Sequence, residues 1–118
     1  MALQEQASGN EAKEVVLGLG KALNDENFEM ARGFVSDDMQ YTGPFGVRNG
    51  AEAYLQEIQS RRLKFDILKV FVDDGDVCVF YNIAASGIIL FASGWFHVTA
   101  GKVTSLKVTF DPRPLLTA

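Results

Sequence analysis

Val, Ile, Phe, Leu and Tyr dominate four consecutive runs in the second half of the chain, Lys64–Asp73, Asp76–Ala85, Ile88–Thr99 and Lys102–Phe110. Only Asp74-Gly75, Ser86-Gly87 and Ala100-Gly101 separate them, and Gly-bearing dipeptides of this kind reverse a strand at once. Connections that short leave an antiparallel meander as the only arrangement. A sheet of four long strands has an apolar face that must be covered. The residues before 64 read as that cover.

Upstream the apolar period lengthens to three and four. Ala12, Val15, Val16, Leu19, Ala22 and Leu23 predict an amphipathic helix over 10–24, with Ser8 and Glu11 at capping-box spacing. Residues 1–9 carry no periodic pattern and read as a flexible lead-in. Gly18 and Gly20 each cost this helix about 1 kcal/mol relative to alanine, so they are either places of close approach by another backbone or simply tolerated. Asn24 and Asp25 are N-cap types for a second, shorter helix whose apolar face is Phe28, Ala31, Phe34 and Val35 and whose end is Ser36-Asp37-Asp38. Met39–Thr42 reads as a short strand closed by Gly43-Pro44, followed by an irregular loop, Phe45-Gly46-Val47-Arg48. Asn49 is placed to cap a third helix with Glu52 at N3, burying Ala51, Tyr54, Leu55 and Ile58, and Arg61-Arg62 in its last turn suits the helix dipole. After the meander, Pro112 and Pro114 end the last strand because neither can donate to the ladder, and Leu115-Leu116 are expected to find cover.

Composition narrows the function classes. A chain of 118 residues is expected to form one domain over 1–118, large enough for a core without disulfides or metal. The net charge of −4 offers no electrostatic footprint for nucleic acid. A single cysteine, Cys78, cannot form an internal disulfide and suits a reducing cytoplasm. The start of the chain has no signal-peptide pattern, and the apolar run around Ile88–Ala92 is too short to span a bilayer. A cytoplasmic protein with neither nucleic-acid nor membrane partners is therefore expected. No phosphate loop, zinc spacing, nucleophile elbow or Rossmann fingerprint is present, so no cofactor and no metal are expected.

Three local matches, in order and at the right spacing, carry a resemblance. They are Asn24–Asp38 with Tyr41-Thr42-Gly43-Pro44, then Asn49-Gly50-Ala51-Glu52-Ala53-Tyr54-Leu55, then Ala92-Ser93-Gly94-Trp95-Phe96-His97-Val98 with Gly101-Lys102-Val103. The chain resembles the nuclear transport factor 2-like superfamily, within it the SnoaL-like and ketosteroid isomerase-like families. The resemblance implies an α+β, cystatin-like cone: three N-terminal helices packed on a strongly curved, mixed but mainly antiparallel sheet, with a pocket at the wide end. It also implies what an isomerase of this family needs: an aspartate base before Pro44, a tyrosine donor on the first helix and a protonated aspartic acid on the penultimate strand. Here Gly43 precedes Pro44, the first helix has no tyrosine, and Gly94 takes the place of the acid. Steroid-type isomerisation is contradicted at all three positions. Epoxide-hydrolase relatives use two aspartates flanking an arginine, and neither Asp66 nor Asp111 is placed beside an inward arginine.

Parity on the penultimate strand puts Ala92, Gly94, Phe96 and Val98 on one face and Ser93, Trp95, His97 and Thr99 on the other. By the family pattern the first set faces the cone, leaving Trp95 and His97 on the outer face as a dimer interface. The opposite parity makes His97 a general base. Asp37-Asp38 either stops the second helix or sets a carboxylate at the pocket mouth, so Asp38 and His97 are the candidate catalytic groups. Cys78 reads as a small core residue, and Asp73, Asp74 and Asp76 as a hairpin turn rather than a calcium loop. Tyr41, Tyr54 and Tyr81 fit a core edge or a pocket rim equally well. Asn82, a mid-strand amide, needs a partner that a ligand can supply, and parity lets only one of Tyr81 and Asn82 line the cone.

The candidate pocket set is Phe34, Tyr41, Tyr54, Asn82, Phe96 and Phe110. Two readings follow. One is a SnoaL-like protein, a homodimer, binding a small, largely apolar ligand, with isomerase, cyclase or hydrolase-type activity open. The other is a non-catalytic dimerisation or protein-interaction module whose cone is filled by Phe34, Phe96 and Phe110.

Overall fold

The computed structural model describes residues 9–116, so most of the expected lead-in and the Ser8 half of the capping pair lie outside the described residues. Helix α1 spans Gly9–Asn24, taking Gly9 into the helix, and buries Ala12, Val16, Leu19, Ala22 and Leu23. The four runs of the meander are strands with the predicted boundaries: β3 (Lys64–Asp73), β4 (Asp76–Ala85), β5 (Ile88–Thr99) and β6 (Lys102–Phe110). Ser86 and Gly87 (φ 51° and 82°), like Ala100 and Gly101 (φ 52° and 78°), take the two successive positive φ angles of turns that match strand twist.

Tertiary pairing reassigns the segments between the helices. Helix α2 is only Phe28–Gly33, capped by Asn27, whose side chain accepts from the Met30 N–H, rather than by Asn24 or Asp25. Asn24 instead closes α1, and its side-chain amide spans the backbone of edge strand β3, donating to the Phe65 carbonyl (2.7 Å) and accepting from the Phe65 N–H (2.8 Å). Phe34 follows α2 as its C-cap, and Val35 already belongs to β1 (Val35–Gly43), opposite Val103. Ser36-Asp37-Asp38 thus lies inside an irregular stretch of β1 and does not end a helix. The expected loop after Pro44 is β2 (Gly46–Asn49), antiparallel to β1, because β1 satisfies its backbone groups. Helix α3 (Ala51–Arg61) is capped by Gly50 with φ 96°, a conformation closed to most residues, so Asn49 stays in β2 and makes no cap. Arg113–Leu116 is a short α4 that packs Leu115 on the core and leaves Leu116 exposed.

The sheet order is β2-β1-β6-β5-β4-β3, with only β1 and β6 parallel. Register shifts in β1, at Ile67/Lys69 in β3 and at His97/Val98 in β5 bend it into an open curve. Its concave face buries Val77, Val79, Tyr81 and Ile83 of β4 with Leu90, Ala92, Phe96 and Val98 of β5 beneath α1, while α3 packs over β1 and β2. Arg32 ties the helical side together, bonding Glu52 of α3, the Val35 carbonyl and Asp37 of β1. Among the described residues no helix is long and apolar enough to cross a membrane.

Candidate functional site

A cavity of about 590 Å³ opens between α1, α3 and the concave sheet face. Leu19 and Leu23 of α1, Ile58 of α3, Val79 and Ile83 of β4, Phe96 of β5, and Leu106 and Val108 of β6 give it apolar walls. A volume of this size suits a small organic molecule.

Three phenols interrupt the apolar lining: Tyr41 from β1, Tyr54 from α3 and Tyr81 from β4. The Tyr41 and Tyr54 rings lie 5.7 Å apart, and Phe65 supports Tyr81 at 5.8 Å. Tyr81 lies over Gly94, where a methyl group would stand 3.1 Å from the ring and 3.2 Å from the hydroxyl. The glycine at the family's acid position therefore makes room for a tyrosine from the neighbouring strand. None of the three hydroxyls bonds to another described residue, yet none is a sealed orphan, because each reaches the open volume. Burial pushes all three phenols above their ordinary pKa; neighbouring hydroxyls add to this for Tyr54 and Tyr81, and the Glu57 carboxylate for Tyr41. At neutral pH they are protonated donors and cannot serve as bases.

The mouth is charged. Glu57 Oε1 lies 3.4 Å from Arg48 Nε, and its other oxygen accepts from Arg61 Nε. Partial burial raises the Glu57 carboxyl, but Arg61 and Arg48 outweigh it and hold the group below its usual value. Arg62 completes the rim and leans toward Glu26 at 3.6 Å, which Lys64 also contacts at 3.0 Å. Phe45 meets Phe110 edge-on at 5.9 Å on the same lining. Among the described residues no group of three or more His, Cys, Asp or Glu is placed to hold a metal ion.

The structure brings Tyr41, Tyr54, Phe96 and Phe110 of the expected pocket set into the cavity. Phe34 is not on the lining; its ring rests on Gly18, so the close approach at that glycine is by a side chain and not by backbone. Asn82 shares parity with Cys78 and Phe80 on the outer face, and Tyr81 takes the inward position. Parity contained that answer, since Tyr81 alternates with Val77, Val79 and Ile83. Cys78 is exposed on the outer face, a correction to the core assignment: that face also carries Phe71, Phe80 and Phe91, so apolar neighbours did not mark the inside.

Asp38 is exposed and accepts from Ser36, and His97 lies on the outer face with Nδ1 2.8 Å from Asp76, so neither candidate catalytic group lines the cavity. Trp95 shares that outer face and donates to the same Asp76 oxygen at 2.9 Å. Asp111 pairs with Arg113 off the lining, and Asp66 lies opposite Asn82. Arg48, Glu57 and Arg61 were not singled out as site residues, although Tyr54, Glu57 and Arg61 stand at helical spacing on one face of α3.

Residues 18–107 match the SnoaL-like domain family. A nuclear transport factor 2-like protein of unknown function from Cytophaga hutchinsonii is 38% identical over 89% of this chain and 94% of its own, with a TM-score of 0.87. An epoxide hydrolase from M. tuberculosis described as LEH-like (22% identity, 92% and 89% coverage, TM-score 0.78) shares the fold. So does a Kribbella flavida protein provisionally described as a ketosteroid isomerase (16% identity, 87% and 79%, TM-score 0.80). At those identities the last two establish architecture alone. No curated protein sequence matches the chain.

Proposed function

This chain belongs to the SnoaL-like domain family of nuclear transport factor 2-like folds, and we propose that its cavity binds a small, largely apolar molecule bearing a hydrogen-bond acceptor. The observation that carries this reading is the set of three protonated phenols, Tyr41, Tyr54 and Tyr81, reaching an apolar cavity with no described protein partner. A carbonyl or ether oxygen inside the cavity supplies what those donors lack. Such donors also suit an oxygen that gains negative charge during isomerisation, cyclisation or hydrolysis. The proton-abstracting partner is the weaker half of that chemistry: among the described residues Glu57 is the one carboxylate on the lining, and two arginines engage it. Binding is therefore the function the geometry supports best. Calorimetric titration with 2-acetylnaphthalene and with 2-ethylnaphthalene, which lacks the oxygen, tests it. The ketone should bind more tightly, and the difference should vanish in the Tyr54→Phe/Tyr81→Phe protein. Equal binding of both probes to the native protein refutes the role of the phenols.

We further propose that two copies pair through the outer sheet face. Phe71, Phe80 and Phe91 form a continuous aromatic row there, with centroids 6.0 and 6.1 Å apart, and Trp95 lies beside it under Lys107 at 5.2 Å. Lys69 and Lys107 stand on the same face as Asp66, Asp73 and Asp76, so a two-fold axis can set opposite charges against each other around an apolar centre. Sedimentation equilibrium should give a dimer that Phe80→Asp converts to a monomer; a monomeric native protein sinks the proposal.

A further inference from the structure

Three of the five arginines in the chain, Arg48, Arg61 and Arg62, line the cavity, and Glu57 is the one acidic side chain among the described residues that joins them there. For a protein of net charge −4 this is a local reversal of sign. The ion pairs do not cancel it. Glu57 is shared between Arg48 and Arg61, and Glu26 between Arg62 and Lys64, so two carboxylates face four cations. The guanidiniums stand at the solvent end, with side chains 36%, 59% and 78% exposed for Arg48, Arg61 and Arg62, so each keeps donors free for an incoming group.

Resting on the binding reading above, we infer that the ligand is an amphipathic anion: an apolar body in the cone, and a carboxylate at the mouth received by Arg48 and Arg61. The placement of the two polar levels supports this. Tyr41 pairs directly with Arg48 across the β1–β2 hairpin, which puts a phenol and a guanidinium side by side. On α3, Tyr54 and Arg61 lie seven residues apart on one face, about 10 Å along the axis at 1.5 Å per residue. A ligand that satisfies both levels thus carries its carboxylate about 10 Å from its inner acceptor. A guanidinium suits a carboxylate better than a neutral group because two parallel N–H donors match its two oxygens.

The experiment compares three probes on one ring system, 2-naphthoate, 2-naphthalenemethanol and 2-naphthylmethylammonium, titrated calorimetrically into the full chain at low salt. The anion should bind about tenfold more tightly than the alcohol, as a charge-assisted hydrogen bond at a half-exposed site allows, and the ammonium least. The advantage should shrink in 0.5 M salt and disappear in Arg48→Gln/Arg61→Gln while the alcohol's affinity holds. Equal or tighter binding of the alcohol to the native protein overturns the anionic ligand and leaves the pocket reading intact. An anion advantage that survives the double substitution overturns the assignment to these arginines. Saturation by none of the three probes refutes the pocket reading itself, and this inference with it.

Discussion

Alanine at Gly18 and at Gly20 adds the same methyl group to the same helix, and the structure gives the two substitutions opposite signs. Each replacement gains about 1 kcal/mol of helix propensity, since both glycines lie inside α1. At Gly20 the new methyl would stand 3.4 Å from Ile67 Cδ1, the free end of a flexible side chain, so most of that gain survives. At Gly18 it would stand 2.8 Å from Phe34 Cζ and 3.2 and 3.3 Å from the two Cε atoms, well inside contact distance. Phe34 cannot simply withdraw. Its N–H bonds the Ala31 carbonyl and its own carbonyl accepts from Val103 N–H at 2.8 Å, which pins its backbone between α2 and β6. Overpacking of this kind costs about 1–3 kcal/mol and outweighs the propensity gain. Gly20→Ala should therefore stabilise by about 0.5–1 kcal/mol and Gly18→Ala destabilise by about 1 kcal/mol. Equilibrium urea unfolding followed by far-ultraviolet circular dichroism should place their midpoints on opposite sides of the native protein's, about 0.5–2 M apart. A Gly18→Ala protein as stable as Gly20→Ala would refute the packing argument, because propensity alone would then account for both.

Three other outcomes follow from single contacts. Tyr54→Phe should leave the urea midpoint unchanged or slightly raised, since its hydroxyl bonds no described residue; a loss above about 1.5 kcal/mol would show a protein partner. Asp76 is held below its usual carboxyl pKa by hydrogen bonds from Trp95 and then His97, so its contribution is present above the unfolded value of about 4 and fades as pH falls through the lower folded value. The stability gap between the native protein and Asp76→Asn should accordingly persist at pH 5 and close well below pH 4, and should stay under about 1 kcal/mol because Asp76 is 41% exposed; a gap that widens in acid reverses the sign. Ala100, at φ 52° in the β5–β6 turn, should accept Asn with a gain of about 0.5–1 kcal/mol in unfolding free energy, and a loss would show that the turn adopts another conformation in solution.

Much of the candidate site was legible one residue at a time. Tyr41 and Tyr54 were visible as amphipathic residues beside glycine turns and on a helix face. Tyr81 is recoverable from its alternation with Val77, Val79 and Ile83, although Asn82, a mid-strand amide, is the more demanding polar group beside it. The charged mouth was hidden for a different reason. Arg48 and Glu57 come from different elements, and nothing in either local pattern brings them within 3.4 Å.

Local physics settled the meander. Alternation, β-branched content and two-residue separators act between neighbours, so β3 to β6 and their antiparallel order could be read from residues 64–110 alone. Long-range pairing settled the rest. Val35 became a strand residue because β6 offered Val103 as its partner, β2 became a strand because β1 satisfied its backbone, and Phe34 left the pocket because Gly18 had no side chain to hold it off. Sequence alone thus determined which residues could form a curved sheet with one face against helices. Only the tertiary structure decided which polar groups share the resulting cavity, because three phenols and three arginines meet there from β1, β2, α3, β4 and the α3–β3 junction, and the distances among them exist only once the sheet has bent.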